Sequence, residues 1–225
     1  MPAQQECNID YIGVLDYLRD NQKISYSDPE KVENPAEKAR LLEVKAKGQK
    51  AVGEIKKMAA ACEEAFKLDK CLPIPWLDGS NKKTRPYLWA QMKYKKYEKE
   101  PSSISIFVEK TNEGDTRFRI SLELKNDGTD KEAIARYHSY LDMPINTEAG
   151  LVLVSGSNEN GNPNLINESP ESAKAKIKAN AYSKVQICKY INRKSDETNI
   201  YFHKELLKAV EALLPYYEHV VEEAP

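Results

Sequence analysis

Apolar positions in this chain recur first at helical spacing, then at every second residue, then at helical spacing again. Ile9, Ile12 and Leu15, joined by Tyr11 and Leu18, mark one side of a short helix over 9–20. A polar connection follows with Ser27, Asp28, Pro29, Asn34 and Pro35 as breakers; Asn34 is a predicted N-cap and Pro35 a first-turn residue. From there to Leu68, Leu41, Leu42, Val44, Val52, Ile55, Met58, Ala59, Cys62 and Phe66 return to one side. That pattern predicts one long helix, or two broken near Gly48 or Gly53, with its lysines on a solvated face.

The period then changes. Cys71 to Leu77 is apolar but carries Pro73 and Pro75, which exclude a helix, and Asp78-Gly79-Ser80 is turn chemistry. Tyr87, Trp89, Gln91 and Lys93 alternate with Leu88, Ala90, Met92 and Tyr94, which predicts a strand. Residues 103–109 and 116–124 predict a hairpin across Thr111-Asn112-Glu113-Gly114-Asp115. Its second strand puts Phe118, Ile120, Leu122 and Leu124 on one face and Arg117, Arg119, Ser121 and Glu123 on the other, the pattern of a half-solvated antiparallel sheet. Beyond it the chain predicts a helix over 129–141 capped by Thr129 or Asp130, a strand at 151–154, a mobile Asn/Gly/Ser-rich loop over 156–164, a helix over 170–178 and a strand at 185–190. It closes with an amphipathic helix over 202–220 that Pro215 kinks or shortens.

These elements define an α+β chain, with a mostly antiparallel central sheet flanked by helices and a long helical N-terminal region. The division expected is a helical segment over 1–69 and a nucleic-acid-binding α+β segment over 70–225, the two able to form one domain. A length of 225 residues suffices for a core without disulfides or metal. No apolar run approaches the roughly 20 residues of a membrane helix, and the N-terminus lacks the basic-then-apolar order of a signal peptide. A cytoplasmic protein with no membrane partner is the expectation. Cys7, Cys62, Cys71 and Cys188 show no C-x-x-C spacing, and His138, His203 and His219 are dispersed, so no zinc site or other cofactor is expected.

Charge changes the picture at one place. The chain is nearly neutral, with a formal net charge of -1, yet Lys82, Lys83, Arg85, Lys93, Lys95, Lys96 and Lys99 face the single acid Glu98 within one stretch. Tyr87, Trp89, Tyr94 and Tyr97 are interleaved with them. Cations bind phosphates and flat rings stack on bases, so Lys82, Lys83, Arg85, Lys93, Lys95 and Lys96 are candidate phosphate contacts. Tyr87 and Trp89, sharing a strand face, are candidate base contacts; a solubilising surface strand with half-buried rings is the competing reading. Trp76, on a loop stiffened by Pro73 and Pro75, is either a core residue or the rim of a pocket.

Phosphate-loop, nucleophile-elbow and H-E-x-x-H signatures are absent. Glu123-Leu124-Lys125 is an acid-x-lysine triplet of the kind found in Mg-dependent nucleases, with Asp115 or Glu109 as a second acid. A solvent-facing Glu and a strand-end Lys explain it as well.

Helices, then Ile74-Pro75-Trp76, then the pair of strands in SISIFVEKTNEGDTRFRISLELKNDG, then an amphipathic helix: this order resembles the N-terminal DNA-binding domain of McrB-type modification-dependent restriction proteins over about residues 60–220. Arg119-Ile120-Ser121-Leu122 stands where that family has a Tyr-Leu-Ser-Leu-like strand, while KLDKC (67–71) replaces its Gly-Tyr-Gly-type segment. The resemblance implies a non-enzymatic domain that flips a modified, methylated base of DNA into an aromatic pocket, with Trp76 carried over as a wall. It also implies a GTPase motor domain, which in that family follows in the same chain, and a nuclease subunit as partners, this chain being an excised specificity domain or a stand-alone reader. A Mg-dependent nuclease and a protein-interaction module built on residues 36–68 are the alternatives.

Overall fold

The structure is a computed structural model that describes residues 8–70, 74–79, 82–125, 129–157, 162–194 and 196–222. Helix α1 (Tyr11–Asn21) starts at Asp10, whose carboxylate accepts from the Gly13 N–H at 2.9 Å. Helix α2 (Pro35–Phe66) starts as the sequence indicates: Asn34 accepts from the Ala36 and Glu37 N–H groups, and Pro35 occupies the first turn. It is one unbroken helix of 32 residues, running through Gly48 and Gly53 to a left-handed Lys67.

Seven strands form the main sheet: β1 (Asp69–Lys70), β4 (Tyr87–Lys93), β5 (Ser102–Lys110), β6 (Thr116–Leu124), β7 (Val152–Ser155), β8 (Asn164–Leu165) and β9 (Val185–Asn192). Their spatial order is β1-β4-β5-β6-β9-β7-β8, every neighbouring pair antiparallel. Strands β2 (Leu77–Asp78) and β3 (Lys83–Thr84) make a separate small hairpin, against which Ser25 forms a bridge to Lys83. Helix α3 (Lys131–Tyr137), capped by Asp130, runs on as a 3-10 turn to Asp142, and α4 spans Pro170–Lys178. Helix α5 (Asn199–Glu222) holds Pro215 inside it and continues past it.

One face of the sheet is the core. Leu88, Ala90 and Met92, Ile104, Ile106 and Val108, and Phe118, Ile120 and Leu122 are essentially inaccessible. They pack beneath α1, α2 and α5, and a single apolar cluster runs from Ile9 to Val221. Segments 1–69 and 70–225 therefore share one core. Period-2 alternation sets this face, since antiparallel partners such as Leu88–Val108 and Val108–Phe118 point the same way.

The other face departs from the expectation of a solvated surface. Glu109 is 1 % exposed, Arg119 5 % and Glu123 8 %, and Ser103, Ser105 and Ser121 are fully covered. The reason lies in the register: Glu109, Arg117 and Arg119 pair across strands, Arg119 also reaches Ser121, and Glu123 meets Lys184 and Gln186, instead of reaching into water.

Candidate functional site

Cross-strand register arranges the polar face of the sheet in rows. Tyr87, Glu109, Arg117 and Asn192 form one, and Trp89, Phe107, Arg119 and Tyr190 form the next. In the second row the Trp89 and Phe107 rings stack with centroids 5.5 Å apart at 9°, and the Arg119 guanidinium lies 3.9 Å from the Phe107 centroid. Arg117 lies 3.7 Å from the Tyr190 centroid. Glu109 joins the rows: its Oε1 accepts from Arg117 Nε at 2.9 Å and Nη2 at 2.7 Å, and its Oε2 from Arg119 Nε at 2.8 Å. Arg119 Nη1 also donates to Ser121 Oγ at 3.0 Å.

Farther along β6, Glu123 accepts from Lys184 Nζ and from Gln186 Nε2. These residues line a cleft of about 410 Å³, walled by Tyr87, Trp89 and Phe107 and closed on one side by Gly156, Asn162 and Pro163. The Asn162 amide donates to the Lys110 carbonyl at 2.7 Å, which ties that wall to the end of β5. On the same face, opposite Ser121, burial pushes the Cys188 thiol up to about 12, so it offers no thiolate at neutral pH. The start of β9 is fixed by His138, whose Nδ1 meets the Ile134 carbonyl at 2.9 Å and whose Nε2 accepts the Val185 N–H at 3.2 Å. Those partners require a neutral ring, and burial drives its pKa down to about 4. With both carboxylates paired to cations, the cleft suits a neutral planar ligand with hydrogen-bonding edges better than a phosphate.

Trp76 is elsewhere. Its half-buried ring packs on α2 at Gly48, where an added Cβ would stand 2.6 Å from the indole, and meets Tyr26 edge-on at 5.0 Å. Its carbonyl accepts the Arg85 N–H at 3.0 Å. Thr84, buried beside it, accepts from the Ile24 N–H at 2.7 Å and donates to the Asn21 carbonyl, pinning the hairpin to the end of α1. Trp76 and Tyr26 line a second groove of about 810 Å³ with Lys31, Lys45, Gln49 and Lys82. The expected base contacts thus divide: Tyr87 and Trp89 share the sheet cleft, and Trp76 belongs to the groove.

The basic stretch divides too. Lys82 and Lys83 are exposed at one end of β4, and Lys95 and Lys96 at the other. Strand β4 itself covers about 20 Å at the usual rise per residue. Arg85 is half-buried, with its Nε enclosed and unpartnered. Lys93 Nζ is turned onto the Glu98 and Glu100 carbonyls, where it caps the turn after the strand. Lys95 lies 3.8 Å from Glu98, and Lys96 lies 3.9 Å from Glu222 and 4.5 Å from the Tyr97 ring centroid.

Of the acid-x-lysine triplet, Glu123 is buried against Lys184 and Gln186 rather than facing solvent, and Lys125 is exposed beyond the strand end. Among the described residues no group of three His, Cys, Asp or Glu side chains could hold a metal ion. Cys7 and Cys71 lie outside the described residues; Cys62 and Cys188 are buried free thiols. No described helix is long and apolar enough to cross a membrane. Phe107, Lys184 and Gln186 were not candidates from the sequence, nor were Tyr26, Lys31 and Lys45. The signal for Phe107 was present, since period-2 alternation places it opposite Trp89; the others join their clefts through contacts distant in sequence. Compared with protein-family models, curated proteins and solved structures, the chain finds no match.

Proposed function

We propose that this chain is a non-catalytic nucleic-acid-binding module that takes one base, modified and extruded from DNA, into the sheet cleft. The observation that carries the reading is the Trp89–Phe107 stack, backed by Arg119, beside the amide and carboxylate edges of Gln186 and Glu123. A volume of about 410 Å³ falls within the usual range for small planar ligands. Extruding a base costs a few kcal/mol, and stacking returns about 1–3 kcal/mol per base, so polar contacts at the base edge must supply the rest. Exposed Lys82, Lys83, Lys95 and Lys96 flank β4 and can meet phosphates on either side of the extruded nucleotide. The resemblance to McrB-type specificity domains supports the same reading. It adds a cytoplasmic modification-dependent restriction system as setting, with a GTPase motor domain and a nuclease subunit as partners.

The test is binding to oligonucleotides identical except for one modified base, at two salt concentrations. Expected are discrimination between the two DNAs, affinity that falls with salt, and a loss of about 5- to 150-fold in Trp89→Ala, the equivalent of one stacked base. A wild-type chain blind to every modification, or a Trp89→Ala variant as tight as wild type, overturns the reading.

A further inference from the structure

The groove at Trp76 has a chemistry the sheet cleft lacks. In the sheet cleft both cations are spent on carboxylates. In the groove Lys31, Lys45 and Lys82 are exposed, and none of them forms an ion pair among the described residues. Their neighbours on α2 behave otherwise: Lys38, Lys47, Lys50 and Lys57 each hold a carboxylate within 3.1 Å. The lining also holds two acids, Asp28 and Asp78, so its three lysines leave an excess of one positive charge. Asp28 Oδ1 is occupied by the Glu30 N–H at 3.1 Å, where it caps the turn Pro29–Lys31. Three ammonium groups around one concavity repel one another, and an anion with several acceptor oxygens relieves that repulsion.

Beside the lysines is an aromatic wall held by packing against α2 and Tyr26. Trp76 is seated on Gly48, braced by Tyr26 and tied through its carbonyl to Arg85. Gly48 sits in a helix interior, where glycine costs about 1 kcal/mol relative to alanine; its use there is the close approach of the indole. Gln49 and Ser27 add hydrogen-bonding groups to the same lining. At about 810 Å³ the groove has room for more than a phosphate.

We infer that this groove is a second binding site, for a nucleoside phosphate: the ring against Trp76, the phosphate among Lys31, Lys45 and Lys82. The two linings share no residue, but Lys82 is also a flanking phosphate contact in the sheet-cleft reading, so Lys31→Gln with Lys45→Gln, made without Lys82→Gln, separates the groove from that reading. The same chemistry is offered by a free nucleotide and by a nucleotide within a strand, and the test separates them.

Trp76 is made the sole tryptophan by Trp89→Phe, which keeps a ring against Phe107. Its fluorescence is then followed during titration with adenosine 5′-monophosphate, adenosine, inorganic phosphate and a short adenine-rich single strand. The expected result is a saturable change with the monophosphate or the strand, at least tenfold tighter than with adenosine or phosphate alone. Tighter binding of the strand identifies nucleic acid as the source of the ligand; tighter binding of the monophosphate identifies a free nucleotide. Replacing Lys31, Lys45 and Lys82 by Gln should weaken binding at least tenfold with the thermal midpoint retained, and replacing them by Arg should restore it. No saturable change with either nucleotide form, a change indifferent to the triple Gln replacement, or phosphate alone binding as tightly as the monophosphate overturns the inference.

Discussion

The two tryptophans sit in opposite electrostatic surroundings. Trp89 stands at a cleft whose charges are buried and paired, with Glu109 held by Arg117 and Arg119, and Glu123 by Lys184 and Gln186. Trp76 stands at a groove whose lysines are exposed and unpaired among the described residues. Pairing in a covered site fixes side chains in one arrangement, and removing one partner strands a charge away from water. Exposed lysines carry no such penalty, and what they contribute is reserved for an anion arriving from solution. The sheet cleft's charges are thus tied to stability, while the groove's lysines are nearly free of it. Each prediction below strikes one side of that contrast.

The largest effect should come from Glu109→Gln. It leaves the Arg119 guanidinium, 5 % exposed, without its carboxylate, and breaking a buried pair this way costs about 3–5 kcal/mol. The shift of the urea midpoint at constant slope measures it. A loss below about 1 kcal/mol would mean that the row of charges is hydrated and that the cleft is an ordinary surface.

Next in size is a pH effect confined to the sheet side. His138 is neutral in the fold, with its pKa lowered from 6.5 to about 4, chiefly by burial and with a smaller push from Lys184. Below pH 6.5 the unfolded chain takes up a proton that the folded chain refuses, so stability falls with pH down to about 4. The full span is worth about 3 kcal/mol. His138→Gln should flatten the stability profile between pH 6.5 and 4. A profile unchanged by the substitution would show that the ring does not lock Val185 in its neutral form.

Much of the scaffold under this contrast is written locally. The Asn34 cap, the β5–β6 hairpin and the apolar rows of β4 and β6 follow from capping chemistry and a period of two, and the structure carries all three. What the period does not carry is cover. Alternation separates Arg119 and Glu123 from Phe118 and Leu122, but whether the second face meets water depends on side chains folding across the strands and on Gly156, Asn162 and Pro163. The charge run misleads for a related reason: Lys82 and Lys96 are close in the chain yet lie at opposite ends of β4, and Lys93 is spent on carbonyls. Gly48, where the sequence leaves open either a break or a continuous helix, lies within one helix and is the seat of Trp76, a contact between residues far apart in sequence.

That seat gives the third prediction. In Gly48→Ala the new methyl meets the indole at 2.6–2.8 Å, so the ring or the helix must move. Overpacking of this kind costs about 1–3 kcal/mol, against about 1 kcal/mol gained from alanine in a helix. The net expectation is a loss of up to about 2 kcal/mol in thermal unfolding, together with altered Trp76 emission. A variant more stable than wild type would show that Trp76 yields easily, and the rigidity attributed to the groove would go with it.

The smallest effect belongs to the groove lysines. Single replacements Lys31→Gln, Lys45→Gln and Lys82→Gln should each change stability by less than about 0.5 kcal/mol, since no ion pair or buried contact is lost. Made together they remove mutual repulsion, so the change should be neutral or slightly stabilising, and any gain should shrink as salt is raised. Chemical denaturation in urea, which leaves ionic strength free to vary, measures this. A triple variant that loses more than about 1 kcal/mol would place these lysines in the structure's own charge pairing. The two tryptophan sites would then differ in degree of exposure and not in kind.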